Sequence, residues 1–218
     1  MDYNKCLLKA AISGDLQLAK QALDKGANNC GWAMIYAAEH GHIDIVGLML
    51  SKGAKCYSEA IVWAAKGSHI DIVNLFLELG ANNYNGTMAY AAAGGNIEIV
   101  RLMLKLGAND YNTSMGNASY GGHMDIVKLM VELGANDYDD SLSEASAGGH
   151  MDIVQLMLKM GGKRYNSSMV GAAENGHIDI VQLMLNLGAN RYDTAIEWAE
   201  NEDIKTLLKI YKEGKIKI

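Results

Sequence analysis

Proline is absent from this chain of 218 residues. No ring fixes φ or removes an N–H donor anywhere along it, so helices run uninterrupted and the turns between them must be hydrogen-bonded ones. Cysteine is scarce: Cys6, Cys30 and Cys56 are odd in number and follow no framework spacing. That excludes a disulfide-stapled scaffold, and with no signal-peptide pattern it points to a reducing compartment. No apolar run comes near the roughly 18 residues that a membrane-spanning helix needs. A positive field is lacking too. The net charge is −6, which opposes general binding of a phosphate backbone. The exception is the end of the chain, where Lys205, Lys209, Lys212, Lys215 and Lys217 are opposed only by Glu202, Asp203 and Glu213. It reads as a solvated cap with its cations near a helix C-terminus. The expectation is a soluble, intracellular, cytoplasmic protein with neither membrane nor nucleic acid among its partners.

What is present is repetition. The stretch Gly176-His177-Ile178-Asp179-Ile180-Val181-Gln182-Leu183-Met184-Leu185 recurs with little change from Gly149, Gly122, Gly95 and Gly41, and in weaker form from Gly14. The copy at Ser68 carries its glycine one residue early, at Gly67. Its acidic residue marks the step, at Asp44, Asp71, Glu98, Asp125, Asp152 and Asp179, each 27 residues from the last. A fixed period of that size denotes a solenoid in which each unit packs only on its neighbours. The predicted fold is all-α, with about eight helix–turn–helix repeats in one domain over 1–218. Residues 1–29 form an N-terminal capping repeat, 30–191 six internal repeats and 192–218 a C-terminal capping repeat.

Stacked as columns, the repeats begin at Tyr3, Cys30, Tyr57, Tyr84, Tyr111, Tyr138, Tyr165 and Tyr192. The next column, Asn4, Gly31, Ser58, Asn85, Asn112, Asp139, Asn166 and Asp193, belongs throughout to the N-cap set. It predicts a first helix, A, of about eight or nine residues starting just after it. Helix A carries an invariant alanine column from Ala10 to Ala199, with apolar residues three before and small ones mostly one after. That spacing is a buried stripe. A glycine then ends helix A. Helix B follows with Ile43, Ile45, Val46, Leu48, Met49 and Leu50 in one copy, a breadth that implies burial on more than one side. Asp44 and its equivalents fall in the first turn, where the helix dipole favours an anion. A second glycine column, Gly26 to Gly188, ends helix B before a short Ala-Asn-Asx turn. The first and last units depart from the columns as solenoid caps do, with no second domain appended.

The words Ala172-Ala173-x-x-Gly176-His177-x-x-Ile180-Val181-x-x-Met184-Leu185-x-x-Gly188-Ala189 resemble the ankyrin repeat. The usual ankyrin unit has about 33 residues and a T-P-L-H opening. Here the unit has 27, the opening is missing, and the lost residues fall between the Gly-Ala turn and helix A, where ankyrins carry a β-hairpin finger. A tight Asn/Tyr turn in its place is expected. Shortened repeats of this kind resemble those in ankyrin-rich proteins of giant DNA viruses and amoebae, which would place the chain in host-cell cytoplasm. The resemblance implies protein–protein interaction without catalysis, on the concave groove that helix A lines.

Columns that refuse to repeat mark the candidate binding face. Four of them in helix A share the spacing i, i+3, i+4, i+7 of a single helix face. They supply Trp32, Tyr36, Glu39, Glu59, Trp63, Lys66, Tyr90, Asn117, Tyr120, Asp140, Glu144, Glu174 and Trp198. Trp32, Tyr36, Trp63 and Tyr90 come from three consecutive units and are expected to make one aromatic patch, of the residue types that dominate interface hot spots. The acids give the face a cast suited to a basic or amphipathic segment of another protein. The alternative is that the rings only pack helix A against its neighbours. A monomer is expected, with a self-associating structural repeat as the competing reading.

No cofactor, metal or catalytic constellation is expected. His42, His69, His123, His150 and His177 recur once per repeat, about 10 Å apart in stacked helices, whereas zinc ligands converge at about 2 Å on one ion. They read as turn histidines. The repeated tyrosines read as turn fillers. Gly94-Gly95 and Gly121-Gly122 are helix stops and not phosphate cradles.

Overall fold

The structure, a computed structural model, describes residues 2–214. Among the described residues it contains sixteen α-helices and no strand. The A helices are α1 (Tyr3–Ser13), α3 (Cys30–Glu39), α5 (Tyr57–Lys66), α7 (Tyr84–Ala93), α9 (Tyr111–Gly121), α11 (Tyr138–Gly148), α13 (Tyr165–Glu174) and α15 (Tyr192–Trp198). The B helices are α2 (Leu16–Asp24), α4 (Ile43–Ser51), α6 (Ile70–Glu78), α8 (Ile97–Lys105), α10 (Met124–Glu132), α12 (Met151–Lys159), α14 (Ile178–Asn186) and α16 (Glu202–Lys212). The chain divides into two compact units, Met1–Asn109 and Asp110–Ile218. In the first, α1, α3, α5 and α7 pack side by side, each against its own B helix; α9, α11, α13 and α15 do the same in the second. This is a helical-repeat architecture, and within each unit the A helices make the more extensive mutual contact.

The alanine columns explain that closeness. Ala10, Ala37, Ala64 and Ala91 are fully buried in the first unit, as are Ala118, Ala145 and Ala172 in the second. A methyl side chain lets backbones approach where a larger one would hold them apart. In the B helices the buried set is a compact trio: Ile72, Val73 and Phe76 in α6, Ile126, Val127 and Met130 in α10. Burial is therefore narrower than the apolar content of helix B predicts. Ile43 and Ile178 stay 41% and 43% exposed. The last A helix, α15, stops at Trp198, so Ala199 is an extended cap residue and Glu200 is exposed.

The A helices begin two residues earlier than the Asn4 column predicts, and most run to ten or eleven residues. In four of the eight the cap is the preceding Asx: Asp2, Asn83, Asp110 and Asp137 accept hydrogen bonds from N–H groups of the first turn. The predicted cap column has another task. Asn4 Oδ1 accepts from the backbone N–H of Asn28 and Asn29, both at 3.0 Å. Asn112 does this for Asn136 and Asp137 at 2.8 and 3.0 Å, and Asn166 for Asn190 and Arg191 at 2.7 and 3.0 Å. Each carboxamide thus satisfies backbone donors in the turn that closes its own repeat and leads into the next, donors that would otherwise lack a partner in a chain without the hairpin.

The Gly-His pair is a second joint. His42 Nε2 lies 3.1 Å from Ile12 O, and His69 Nε2 3.1 Å from Glu39 O. His150 and His177 reach Tyr120 O and Ala147 O at 3.0 and 3.2 Å. A carbonyl only accepts, so Nε2 carries the proton and donates. The glycine before each helix B serves this joint twice. Gly41 has φ +78, and a Cβ there would lie 2.4 Å from the His69 ring. Gly149 has φ +80, with the His177 ring equally close. At the one irregular copy Ser68 takes the left-handed conformation, φ 64, the only described non-glycine residue to do so.

Candidate functional site

In the first unit α3 presents Trp32 and Tyr36, one turn apart, with ring centroids 6.2 Å from each other. Helix α5 presents Glu59, Trp63 and Lys66. Trp63 meets Tyr90 of α7 edge to face at 5.4 Å. Lys66 Nζ stands 4.9 Å over the Trp63 ring and 3.2 Å from Glu39 Oε1. The four rings predicted as one patch are thus two pairs, and Trp32 and Trp63 line a common cleft between α3 and α5 of about 410 Å³. Its other walls are Ile35, Cys56, Gly31, Asn29 and Glu59. Trp32 is 56% exposed, and Glu59 is exposed and joins no ion pair among the described residues.

By sequence Cys30 and Cys56 belong to adjacent turns and could approach one another; both are free cysteines. Cys56 Sγ donates to Gly31 O at 3.4 Å, closing the floor of the cleft. Burial pushes the thiol pKa up; its own backbone hydrogen bond opposes this, and the nearby Glu59 charge adds to it.

One predicted face column, Leu8, Ile35, Val62, Ala89, Gly116, Ser143, Val170 and Glu197, leaves the surface in its middle members, while Glu197 is exposed and Leu8, Ser143 and Val170 are half-buried. Ile35, Val62, Ala89 and Gly116 are buried. The reason shows at Gly116, where an added Cβ would meet Asp140 Oδ2 at 3.4 Å and Glu144 Cγ at 3.8 Å. Residues of the next A helix lean over this column, so it forms the floor on which the other three columns stand. The variation that looked like surface freedom there is fitting to the overlying side chains.

In the second unit α9 carries Asn117 and Tyr120, α11 Asp140 and Glu144, α13 Glu174 and α15 Trp198. Tyr120 and Trp198 are each 52% exposed. Asp140 is paired with Arg164 at 3.1 Å, a partner that its place outside helix A kept from view in the sequence columns. Burial, and then the Asp140 charge, push the Glu144 carboxyl up. The acidic cast of this face is therefore partly neutralised by the chain itself.

The end of the chain orders its lysines. Lys205 pairs with Glu202 at 2.8 Å within α16, and Lys212 with Asp193. Lys215 and Lys217 lie outside the described residues. No helix among the described residues is long and apolar enough to cross a membrane. No family model matches the chain, and no curated protein matches it in sequence.

Proposed function

We propose that this chain is a protein-interaction repeat of the ankyrin type, binding another polypeptide along the outward face of its A helices and carrying out no reaction of its own. The observation that carries the reading is the contrast between constant scaffold and variable aromatic surface. The Asn, Gly-His and Ala columns repeat and hold the stack together. Trp32 and Tyr120 do not repeat, and Trp198 shares its column with Trp63 but also with Lys9, Asn117 and Gly171, yet Trp32, Tyr120 and Trp198 each leave more than half of themselves in water. A large ring left exposed serves no packing, and Trp and Tyr at such places are the usual anchors of a protein interface. The ankyrin comparison is supported by the paired helices, the positive-φ glycine ahead of the turn histidine and the strandless turn where a shortened unit loses its finger. Its setting is the reducing interior of a cell, the host cytoplasm if the viral resemblance holds.

The test is the pair Trp63→Ala with Tyr90→Ala. Helicity by circular dichroism is expected to survive while capture of a partner from the native cell is lost. Collapse of helicity means that the rings are core and sinks the reading. Self-association is the second reading, motivated by Leu79 and Leu106 in one unit and Leu133, Met160 and Leu187 in the other, all exposed. Light scattering separates the two, since a monomer at every concentration removes the second.

A further inference from the structure

The cleft between α3 and α5 is chemically lopsided. Two indoles and the buried Ile35 supply apolar wall, while a single carboxylate, Glu59, stands at its edge with no cation to balance it. Glu59 and Trp63 are four residues apart on α5, so they share a helix face. The same combination is already satisfied once within this protein: Lys66 stands over Trp63 and against Glu39. That internal trio shows an indole here accepting a cation that a carboxylate holds in place. The cleft offers the matching indole and carboxylate with the cation missing. Glu59 and the Cys56 thiol line the same cleft. The net charge of −6 favours a positive visitor over the whole surface.

We propose that this cleft receives an arginine side chain from the partner polypeptide, its guanidinium stacked on Trp32 and hydrogen-bonded to Glu59. The inference rests on the protein-binding reading and adds what that reading leaves open, the chemistry of the anchor. Arginine fits better than lysine because its planar group stacks on a ring and engages a carboxylate through two donors at once. Its aliphatic stem covers the Ile35 floor. A purely apolar side chain would leave Glu59 partly desolvated without compensation.

The experiment titrates the folded chain with acetyl-Gly-Arg-Gly-amide and, in parallel, with the citrulline counterpart, which keeps the shape and loses the charge. The readout is the indole N–H resonances of the three tryptophans. Trp32 and Trp63 are expected to shift saturably with the arginine probe and not with citrulline, with Trp198 unmoved as the internal reference. Glu59→Gln is expected to weaken the response roughly fivefold, and Trp32→Leu, which keeps apolar bulk without the ring, about as much. Both positions are exposed, so the fold is retained. Equal response to citrulline, an unchanged response in Glu59→Gln, or no shift of Trp32 and Trp63 overturns the inference. Partner capture that depends on Trp63 while the arginine probe does nothing overturns this inference alone and leaves the wider reading standing.

Discussion

The Gly-His joint makes a quantitative demand that a double-mutant cycle can meet. Gly41→Ala places a Cβ in the left-handed region, at φ +78, which costs an L-residue about 1–2 kcal/mol. The same Cβ would lie 2.4 Å from His69 Cε1 and 2.6 Å from Nδ1, so the ring must leave. Its hydrogen bond to Glu39 O, at 3.1 Å, leaves with it and strands a carbonyl at the helix end, at a cost of roughly 1–3 kcal/mol. Gly41→Ala should therefore destabilise by roughly 2–5 kcal/mol in all. His69→Ala loses the bond alone, roughly 1–3 kcal/mol. In the double variant nothing remains to collide with, and only the backbone strain adds to the lost bond. The two losses should thus fall short of additivity by about the value of the bond, roughly 1–3 kcal/mol. Urea denaturation followed by circular dichroism gives all four stabilities. Gly149→Ala with His177→Ala repeats the cycle in the second unit, where φ is +80 and the bond to Ala147 O is 3.2 Å. Additivity within about 0.5 kcal/mol in both cycles refutes the idea that glycine makes room for histidine across the repeat.

Three further outcomes are expected. Ser68→Gly restores the residue that the other copies use at a left-handed position, φ 64, and should stabilise by about 0.5–1 kcal/mol, or a few degrees in Tm by calorimetry. Ser141 is buried and its hydroxyl lacks a hydrogen-bond partner, so Ser141→Ala should raise stability by about 1 kcal/mol in urea. Ser168→Ala, whose hydroxyl donates to Arg164 O at 2.9 Å, should gain less. Glu144 is pushed up by burial and by Asp140, so its ionisation opposes folding, and stability falls as pH rises through its folded-state titration. Glu144→Gln should stabilise at neutral pH, and the gain should fade in acid where Glu144 is protonated in both states; denaturation across pH checks the sign.

The period, the paired helices and the alanine stripe were legible in the sequence because each is a spacing, and spacing survives without coordinates. The starts of the A helices were misread for a physical reason. Asn4 and Asp2 are both good cap residues, and only the structure shows that Asp2 caps its own helix while the Asn4 carboxamide serves the backbone of the next turn. The candidate face was legible for Trp32 and Trp63 but not for Ile35 or Val62, which vary just as freely and are buried. Variation reports only the absence of a fixed partner, and a position packed against variable neighbours varies with them. Arg164 lay outside every column considered, yet it neutralises Asp140. A charge contributed by the following turn leaves no periodic trace.

The recurring hydrogen bonds span 24 or 25 residues at the asparagines and 30 at the histidines. The asparagine bonds tie the start of a step to the turn that closes it, and the histidine bonds link a step only to its neighbour. Excise or duplicate a whole step of 27 residues, and the spacing between the remaining asparagines, histidines and their partners is kept. Lengthen one step by a single residue inside a helix, and both partners fall out of phase together. The length of such a chain is quantised: it can grow or shrink by complete courses, like masonry, while the odd residue is refused.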